Sequence, residues 1–407
     1  MKLLYIATSF PEPHKGDTIY TDLAEALREA GHKIVVVVSE QSKNKKRTEI
    51  KEERGFKVLR VVTGNYYDVG FIEKGITTLK IPILMLLNIR KYLKNDKFDL
   101  ILFESPPITL AGLVAWAKKI FLCPAYLMLK DIFPQNSVDL NIMKNRGLIY
   151  SYFAKKEKQL YRTADMIGCM SEANRKYIID HHPWLGDKKL EIFPNTKKII
   201  KDYCEESLTI RKIYKIPDDV CVFLFGGNMG RPQYIDLLCY AVTKCASKKD
   251  IFFVFIGRGT ERYKLEQTIA KNNIKNALLL ENLPRNDYER IVKACDIGLI
   301  ILDPSFTIPN YPSRILSYME YAKPVLAATD KVSDIKELIY DANCGEWVWS
   351  GNKEAFLDKI MQMANRSDLD ILGRNGRNYL EANLQVDRSV QILERYYQRI
   401  EECKTNV

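Results

Sequence analysis

The sequence predicts two doubly wound α/β halves in tandem. Three observations carry this: the length of the chain, a repeated alternation of short apolar runs with segments of helical period, and a break in that alternation followed by a fresh start. At 407 residues the chain exceeds the size at which a single hydrophobic core keeps growing, so two domains are expected. Hydrophobic residues make up 46% and charged residues 28%, with no low-complexity tract, which fits an ordinary folded protein.

The elements follow in order. LLYIAT, KIVVVVS, KVLRVV, LILFES, AYLMLK and MIGCMS read as strands with amphipathic stretches between several of them, the βαβ pattern of a parallel sheet. The run VVVV at 35–38 has no polar alternation, as expected of a strand buried on both faces. Over 195–219 the strand signal stops and a linker is expected. The pattern restarts with VCVFLFGGNMG and continues through IFFVFIGRG, ALLLENL, IGLIIL, PVLAAT and GEWVW. Finally VDRSVQILERYYQRIEE places Val386, Val390, Leu393, Tyr397 and Ile400 on one helical face, which needs a domain to pack against. The expected division is an N-terminal Rossmann-like domain over 1–200, a second over 201–384, and a helix over 385–407 that packs back on the first. Ligands of such sheets bind beyond the carboxyl ends of the strands, so the two domains are expected to face a central cleft where two substrates meet.

Composition narrows the partners. Nine cysteines, an odd number with no C-x-x-C pair, argue against a disulfide framework and a zinc site and for a reducing compartment. The opening MKLLYIATSFPEPHKGD reads as a buried strand, since proline and charge follow where a signal peptide would continue its apolar region. No stretch reaches the roughly 18 uncharged apolar residues of a membrane span, which leaves a cytoplasmic or peripheral protein. The formal charge of +11 favours an anionic partner such as phospholipid or a phosphorylated substrate. Nucleic acid is the weakest of these partners, because acids are mixed among the bases and no recognised module appears.

In the C-terminal half the strand VCVFLFGG runs into Gly226, Gly227, Asn228, Met229, Gly230 and Arg231 before a helical segment. Glycine lets the backbone approach a phosphate and a new helix offers free N–H groups, although a tight strand-to-helix turn explains the same residues. A second glycine turn, IGRGTERYKLE, brings Arg258, as a ligand or as a solvated side chain. In DPSFTIPNYPSRILSYMEYAKPVLAATD a proline-punctuated loop with Asn310 leads to a helix carrying Ser313, Arg314, Ser317 and Glu320. The arginine can grip a diphosphate by bidentate hydrogen bonds, and the alternative is an N-terminal cap followed by a solvated face.

In the N-terminal half, SFPEPHKGDTIYTDLAEALREAGH places His14, Lys15, Gly16 and Asp17 in a loop between strand and helix, with Asp17 or Thr18 as the N-cap. YLMLKDIFPQNSVDL ends a strand at Lys130 and Asp131; Asp131 can take a proton from an acceptor or orient the donor sugar, or cap a helix. His32 reads as structural, and His181 with His182 as solvated. Residues 74–97 combine Ile81, Ile83, Leu84, Leu86, Leu87 and Ile89 with surrounding lysines and arginines. Either the segment from Ile81 to Lys97 binds an anionic membrane surface, or it is a helix packed on the sheet with its lysines in water.

Taken in order, LAEALREAGHKIVVV, DIFPQNSVDL, ADMIGCMSEA, IFPN, the GNMG turn, IGRGTERYKLE, LPRNDYERIVKACDIGLIIL and PSRILSYMEYAKPVLA resemble the family 4 glycosyltransferases of the GT-B fold, especially those of capsule and O-antigen synthesis. The resemblance covers essentially the whole chain. It implies a nucleotide-sugar donor, of UDP type, held by the C-terminal domain, a glycan or polyprenyl-linked acceptor in the N-terminal domain, retention of anomeric configuration, and neither metal nor cofactor. The base would lie near Asn282 and Leu283, the diphosphate near Asn228, Gly230, Arg231 and Arg314, and the His14–Asp17 loop would close over acceptor or donor phosphate. One departure stands out: two glutamates eight positions apart are common in the family, and Pro309 and Ser317 occupy those places here. Relatives with an arginine and lysine at the glycine turn align them with Asn228 and Gln233, leaving Arg231, Arg258 and Arg314 to supply charge. A catalytically silent partner subunit and a nucleotide-sugar epimerase therefore remain as alternatives.

Overall fold

The apolar run that opens the sequence is β1 (Lys2–Ala7), at the centre of an eight-stranded sheet. The computed structural model describes residues 1–66, 69–199 and 207–405. The chain forms two units, Met1–Lys198 with Val386–Val407, and Ile199–Gln385.

In the first unit β1 leads to α1 (Ile19–Glu29), β2 (Lys33–Glu40), β3 (Glu49–Glu53), β4 (Phe56–Val62), α2 (Phe71–Tyr92), β5 (Leu100–Ser105), α3 (Ala111–Phe121) and β6 (Ala125–Leu129). Then come α4 (Gln135–Asp139), α5 (Leu148–Thr163), β7 (Met166–Cys169), α6 (Glu172–His181) and β8 (Leu190–Ile192). The sheet order is β3-β4-β2-β1-β5-β6-β7-β8, parallel except for the β3–β4 pair. The sequence of β3, EIKEE, gave no strand signal because it is an edge strand with half-buried and exposed residues, where polar side chains are tolerated. Thr18, not Asp17, caps α1: its hydroxyl accepts from the Thr21 amide in a reciprocal capping box.

The second unit runs α7 (Ser207–Ile213), β9 (Cys221–Gly226), α8 (Ile235–Lys244), β10 (Ile251–Ile256), α9 (Arg262–Lys271), β11 (Ala277–Leu280), α10 (Arg285–Ala294) and β12 (Ile297–Ile301). It continues with α11 (Arg314–Glu320), β13 (Val325–Thr329), α12 (Ile335–Asp341), β14 (Gly345–Trp349), α13 (Lys353–Ala364) and α14 (Leu369–Asn383). Its six strands, all parallel, are ordered β11-β10-β9-β12-β13-β14. Of the linker expected over 195–219, residues 200–206 lie outside the described residues. The remainder holds a helix, α7, whose Arg211 donates from Nη2 to both carboxylate oxygens of Asp296 at 2.9 and 2.8 Å and from Nε to the Ala294 carbonyl, so it is part of the domain.

The last helix, α15 (Val386–Thr405), lies on the first unit. Val386, Val390, Ile392, Leu393 and Tyr396 join the core that holds Leu23 and Leu27 of α1. Tyr396 takes the deep position expected of Tyr397, with its ring 5.2 Å from that of Tyr126. Polar contacts fix the register: His32 Nε2 lies 2.9 Å from Glu394 Oε1 and the Thr196 and Ser389 hydroxyls are 2.7 Å apart. His182 departs from its expected solvated state, being buried with its ring against Tyr161, while His181 stays exposed and stacks on Tyr177.

α2 also differs from the expectation of one amphipathic segment at Ile81–Lys97. The helix starts at Phe71 and ends at Tyr92; Ile81, Met85 and Ile89 are core residues, and the exposed apolar side chains are Ile76, Leu79, Ile83 and Leu87. No helix among the described residues is long and apolar enough to cross a membrane.

Candidate active site

Each sheet reverses its winding once, between β1 and β5 in the first unit and between β9 and β12 in the second. Doubly wound sheets bind ligands just beyond the carboxyl ends of the strands at such points. The chemistry-bearing residues of each unit gather there.

In the second unit two glycine turns interlock. Gly227, with φ +121°, follows β9, and Gly257 and Gly259, with φ +148° and +156°, follow β10. The Gly227 amide donates to the Ile256 carbonyl and the Met229 amide to the Arg258 carbonyl, at 2.9 and 2.7 Å. A Cβ on Gly257 would stand 1.8 Å from the Gly227 carbonyl oxygen, and one on Gly259 2.3 Å from the Met229 backbone. Glycine is required at these two positions both by the close approach of the backbones and by the positive φ.

Onto this turn comes Arg314, the first residue of α11. Its Cζ lies 4.5 Å from the centroid of the Phe225 ring, and a Cβ on Gly227 would be 3.2 Å from its Nη2. Its Nη1 is buried and meets no acceptor among the described residues. A desolvated guanidinium nitrogen without a partner costs stability. Beneath it Tyr318 donates its hydroxyl toward the Leu224 and Leu299 carbonyls, and Tyr288 lies against Gly226, where a Cβ would be 2.4 Å from its hydroxyl oxygen.

The other donor-side candidates lie on the same strand ends to different degrees. Asn228, Arg231 and Arg258 are exposed; the Asn228 amide and the Gly230 backbone N–H both point to the Gln233 side chain, at 3.4 and 3.2 Å. Asn282 is exposed and Leu283 half-buried in the loop after β11. The Asn310 amide donates to Ser333 Oγ at 2.8 Å. Ser313 is exposed and Ser317 half-buried on α11. Glu320 stands apart: it is fully buried, and Arg377 bonds its carbonyl, so its side chain belongs to the interior and not to the exposed loop surface.

In the first unit Asp131 follows β6. Asn136 Nδ2 donates to its Oδ2 at 2.7 Å, while Oδ1 is buried without a partner. Burial pushes its carboxyl up to about 6, against the opposing hydrogen bonds from the Ile132 amide and Asn136. Burial likewise brings the Lys130 ammonium down to about 8; its Nζ donates to Asn195 Oδ1 at 2.8 Å. A group near these was missed in the sequence. Glu104, at the carboxyl end of β5, is buried, accepts from the Thr8 amide and hydroxyl at 2.8 and 2.9 Å through Oε1, and leaves Oε2 without a partner. Burial holds its carboxyl above the usual range. Tyr66 was missed too; burial and then the charges of Asp131 and Glu104 raise its hydroxyl. A lone acid inside the apolar run LILFES, just before Ser-Pro-Pro, was the available signal for Glu104.

The His14–Asp17 loop is held by polar side-chain pairs. Glu12 pairs with Lys15, His14 and Lys46, and the Lys46 hydrogen bond leads in bringing its carboxyl down to about 2. Arg54 pairs with Asp17 and Glu25 at 2.6 Å each and bonds the Gly16 carbonyl at 2.7 Å. His14 and Lys15 are exposed, and Gly16 turns with φ +96°.

Residues 17–196 match the family described as Glycosyltransferase Family 4 and residues 206–379 the family described as Glycosyl transferases group 1. A probable glycosyltransferase, WbjE of Pseudomonas aeruginosa, is 25% identical over 63% of this chain and 64% of its own length. Among solved structures, sucrose-phosphate synthase from Thermosynechococcus elongatus superposes with a TM-score of 0.76 at 16% identity, covering 99% of both chains. Anabaena HepE in complex with UDP-glucose gives 0.70 at 17% identity over 100% of both chains. These two likenesses establish the fold.

Proposed function

Because the chain belongs to the GT-B glycosyltransferases, with a family 4 first half and a group 1 second half, we propose that it transfers a sugar from a nucleotide-sugar to a glycan or polyprenyl-linked acceptor. The donor is a UDP-sugar, the anomeric configuration is retained, and the product enters a bacterial surface polysaccharide. The work is done in the cytoplasm, at the inner face of the membrane.

The observation that carries this reading is the Arg314 guanidinium seated on the Gly227 turn with Nη1 unmatched. A donor diphosphate at the β9 carboxyl end would accept from that nitrogen. Charge on the departing nucleoside diphosphate is then stabilised by preorganised donors, without a cation. UDP as the nucleotide is supported by HepE with UDP-glucose and by an E. coli trehalose-6-phosphate structure with UDP-2-fluoro glucose. Asp131, ionised above about pH 6, accepts the proton of the acceptor hydroxyl.

Ser317 and Pro309, in place of the glutamates common in the family, are the observation that favours a silent partner subunit. Isothermal titration with UDP and GDP decides between the two readings. Micromolar binding of UDP is expected, and failure to bind either nucleotide would sink the enzyme reading.

A further inference from the structure

The loop between β1 and α1 lies where the first sheet reverses its winding, and doubly wound sheets receive their ligands at such points. In the transfer reading, on which the role of this loop rests, it is a wall of the acceptor side. We infer that it is a preset wall and not a lid, and that Arg54, at the tip of the β3–β4 hairpin, is the positioning residue that locks it.

Arg54 is an unexpected residue for its place. Glu53 of β3 pairs with Phe56 of β4, so Arg54 and Gly55 are the two central residues of the hairpin turn, with φ +54° and +80°. Two-residue turns with positive φ at both positions favour Asn-Gly, Asp-Gly or Gly-Gly, and an arginine there forgoes that preference. Its side chain supplies the compensation. That side chain is 4% exposed and uses both arms of the guanidinium: Nη1 donates to Asp17 Oδ1 and Glu25 Oε1 at 2.6 Å each, and Nη2 to the Gly16 carbonyl at 2.7 Å and the Pro11 carbonyl at 3.4 Å. One planar group thus ties both ends of the stretch 11–17 to each other and to α1. The turn is fixed from its other side, since Arg28 Nη1 donates to the Arg54 carbonyl and a Cβ on Gly55 would stand 2.5 Å from that nitrogen.

The remainder of the loop is bonded with equal completeness. Arg60 of β4, its side chain 6% exposed, donates from Nη1 to the Phe10 carbonyl at 3.0 Å, while its Nε and Nη2 donate to Glu53 at 2.8 and 2.6 Å. Lys46, just ahead of β3, pairs with Glu12. At the start of the loop the Thr8 amide and hydroxyl donate to Glu104 at the end of β5. Inside it the Lys15 amide donates to the Glu12 carbonyl at 2.8 Å, and at its end the Thr18 amide donates to Thr21 Oγ1 at 2.7 Å. The polar edge strand β3 gains a purpose from this: its Glu53 orients Arg60, and its turn presents Arg54. With the loop ordered in folding, the entropy of fixing it is not charged to the ligand, so the acceptor meets a finished surface.

The test is amide hydrogen exchange of the full chain, with and without UDP, read on peptides covering residues 8–18. In the wild-type protein these amides should be protected before any ligand is added. Arg54→Asn removes the side-chain bonds and puts in the turn a residue that positive φ favours, so the hairpin should persist. Exchange over 8–18 should then rise at least tenfold, with β1 and the second unit unchanged. Arg54→Lys, which keeps a charge but not the fork, should fall between the two. Protection over 8–18 that appears only with UDP would make the loop a lid, unchanged exchange in Arg54→Asn would place the lock elsewhere, and a rise spread over the whole first unit would make Arg54 a general support of the fold. Each of these overturns the inference. A protein that keeps the protected loop but fails to bind UDP in titration sinks the transfer reading and leaves the lock standing.

Discussion

Arg314 stacks its guanidinium on the ring of Phe225, 4.5 Å from the centroid, and rests against Gly227 in the turn that ends the same strand. The ring contact holds the guanidinium in place, while burial of Nη1 without an acceptor leaves one donor unmet. An arrangement that holds a charge in place and does not neutralise it is suited to ligand binding.

Arg314→Ala should therefore weaken UDP binding by about 1.5 to 3 kcal/mol, roughly one to two decades. The melting temperature should change little, because the lost stacking is offset by removal of a desolvated, unpaired nitrogen. Titration with UDP beside a thermal melt checks both, and wild-type affinity in the variant would misplace the donor site. Arg314→Lys should recover only part, since an ammonium cannot make the bidentate contact.

Asp131→Asn should lower the transfer rate by 10² to 10⁴ with little change in UDP affinity. In the wild-type protein the rate should rise as pH passes upward through about 6, because the ionised carboxylate is the base and burial has raised its pKa to that value. Loss of this rise in Asp131→Asn, measured as kcat against pH, identifies the group; an identical profile in both proteins assigns the base elsewhere.

Gly257→Ala should destabilise the second unit and depress UDP binding together. Its Cβ would meet the Gly227 carbonyl at 1.8 Å and its φ of +148° is foreign to alanine. A cost of about 1 to 3 kcal/mol is expected in denaturant unfolding. Gly112→Ala, with nothing within 4 Å of its Cβ and no positive φ, serves as the control.

Transfer should persist in excess EDTA, since Arg314 is assigned the diphosphate charge. Activity lost on chelation and restored by magnesium or manganese would show that the diphosphate needs a cation here.

The alternation of the strands was legible in the sequence because parallel strands buried on both faces are written as continuous apolar runs; VVVV at 35–38 became four buried positions of β2. EIKEE was not legible, since an edge strand can be polar, and α7 was hidden in a stretch read as linker because its seven residues are too few for a periodic signal. At the sites, glycines at strand ends pointed to the two turns, but nothing in the spacing said that the turns interlock through their backbones. Glu104 escaped because its neighbours are apolar and its partner Thr8 is 96 residues away. Glu320, six residues after Arg314 at about 100° each, lies well round the helix from it and is buried.

The first unit is closed by a segment from the far end of the chain, and this orders events during synthesis. When the ribosome has passed Lys198, the apolar flank of α1 with Leu23 and Leu27 still lacks the side chains of Val390, Leu393 and Tyr396, which complete that core. The second unit, contiguous from Ile199 to Gln385, can fold before the first is complete. An isolated first half cut after Lys198 would expose that flank and be prone to aggregate. A separable version must carry 386–407 as well, and the two junctions, 198/199 and 385/386, are the places to cut.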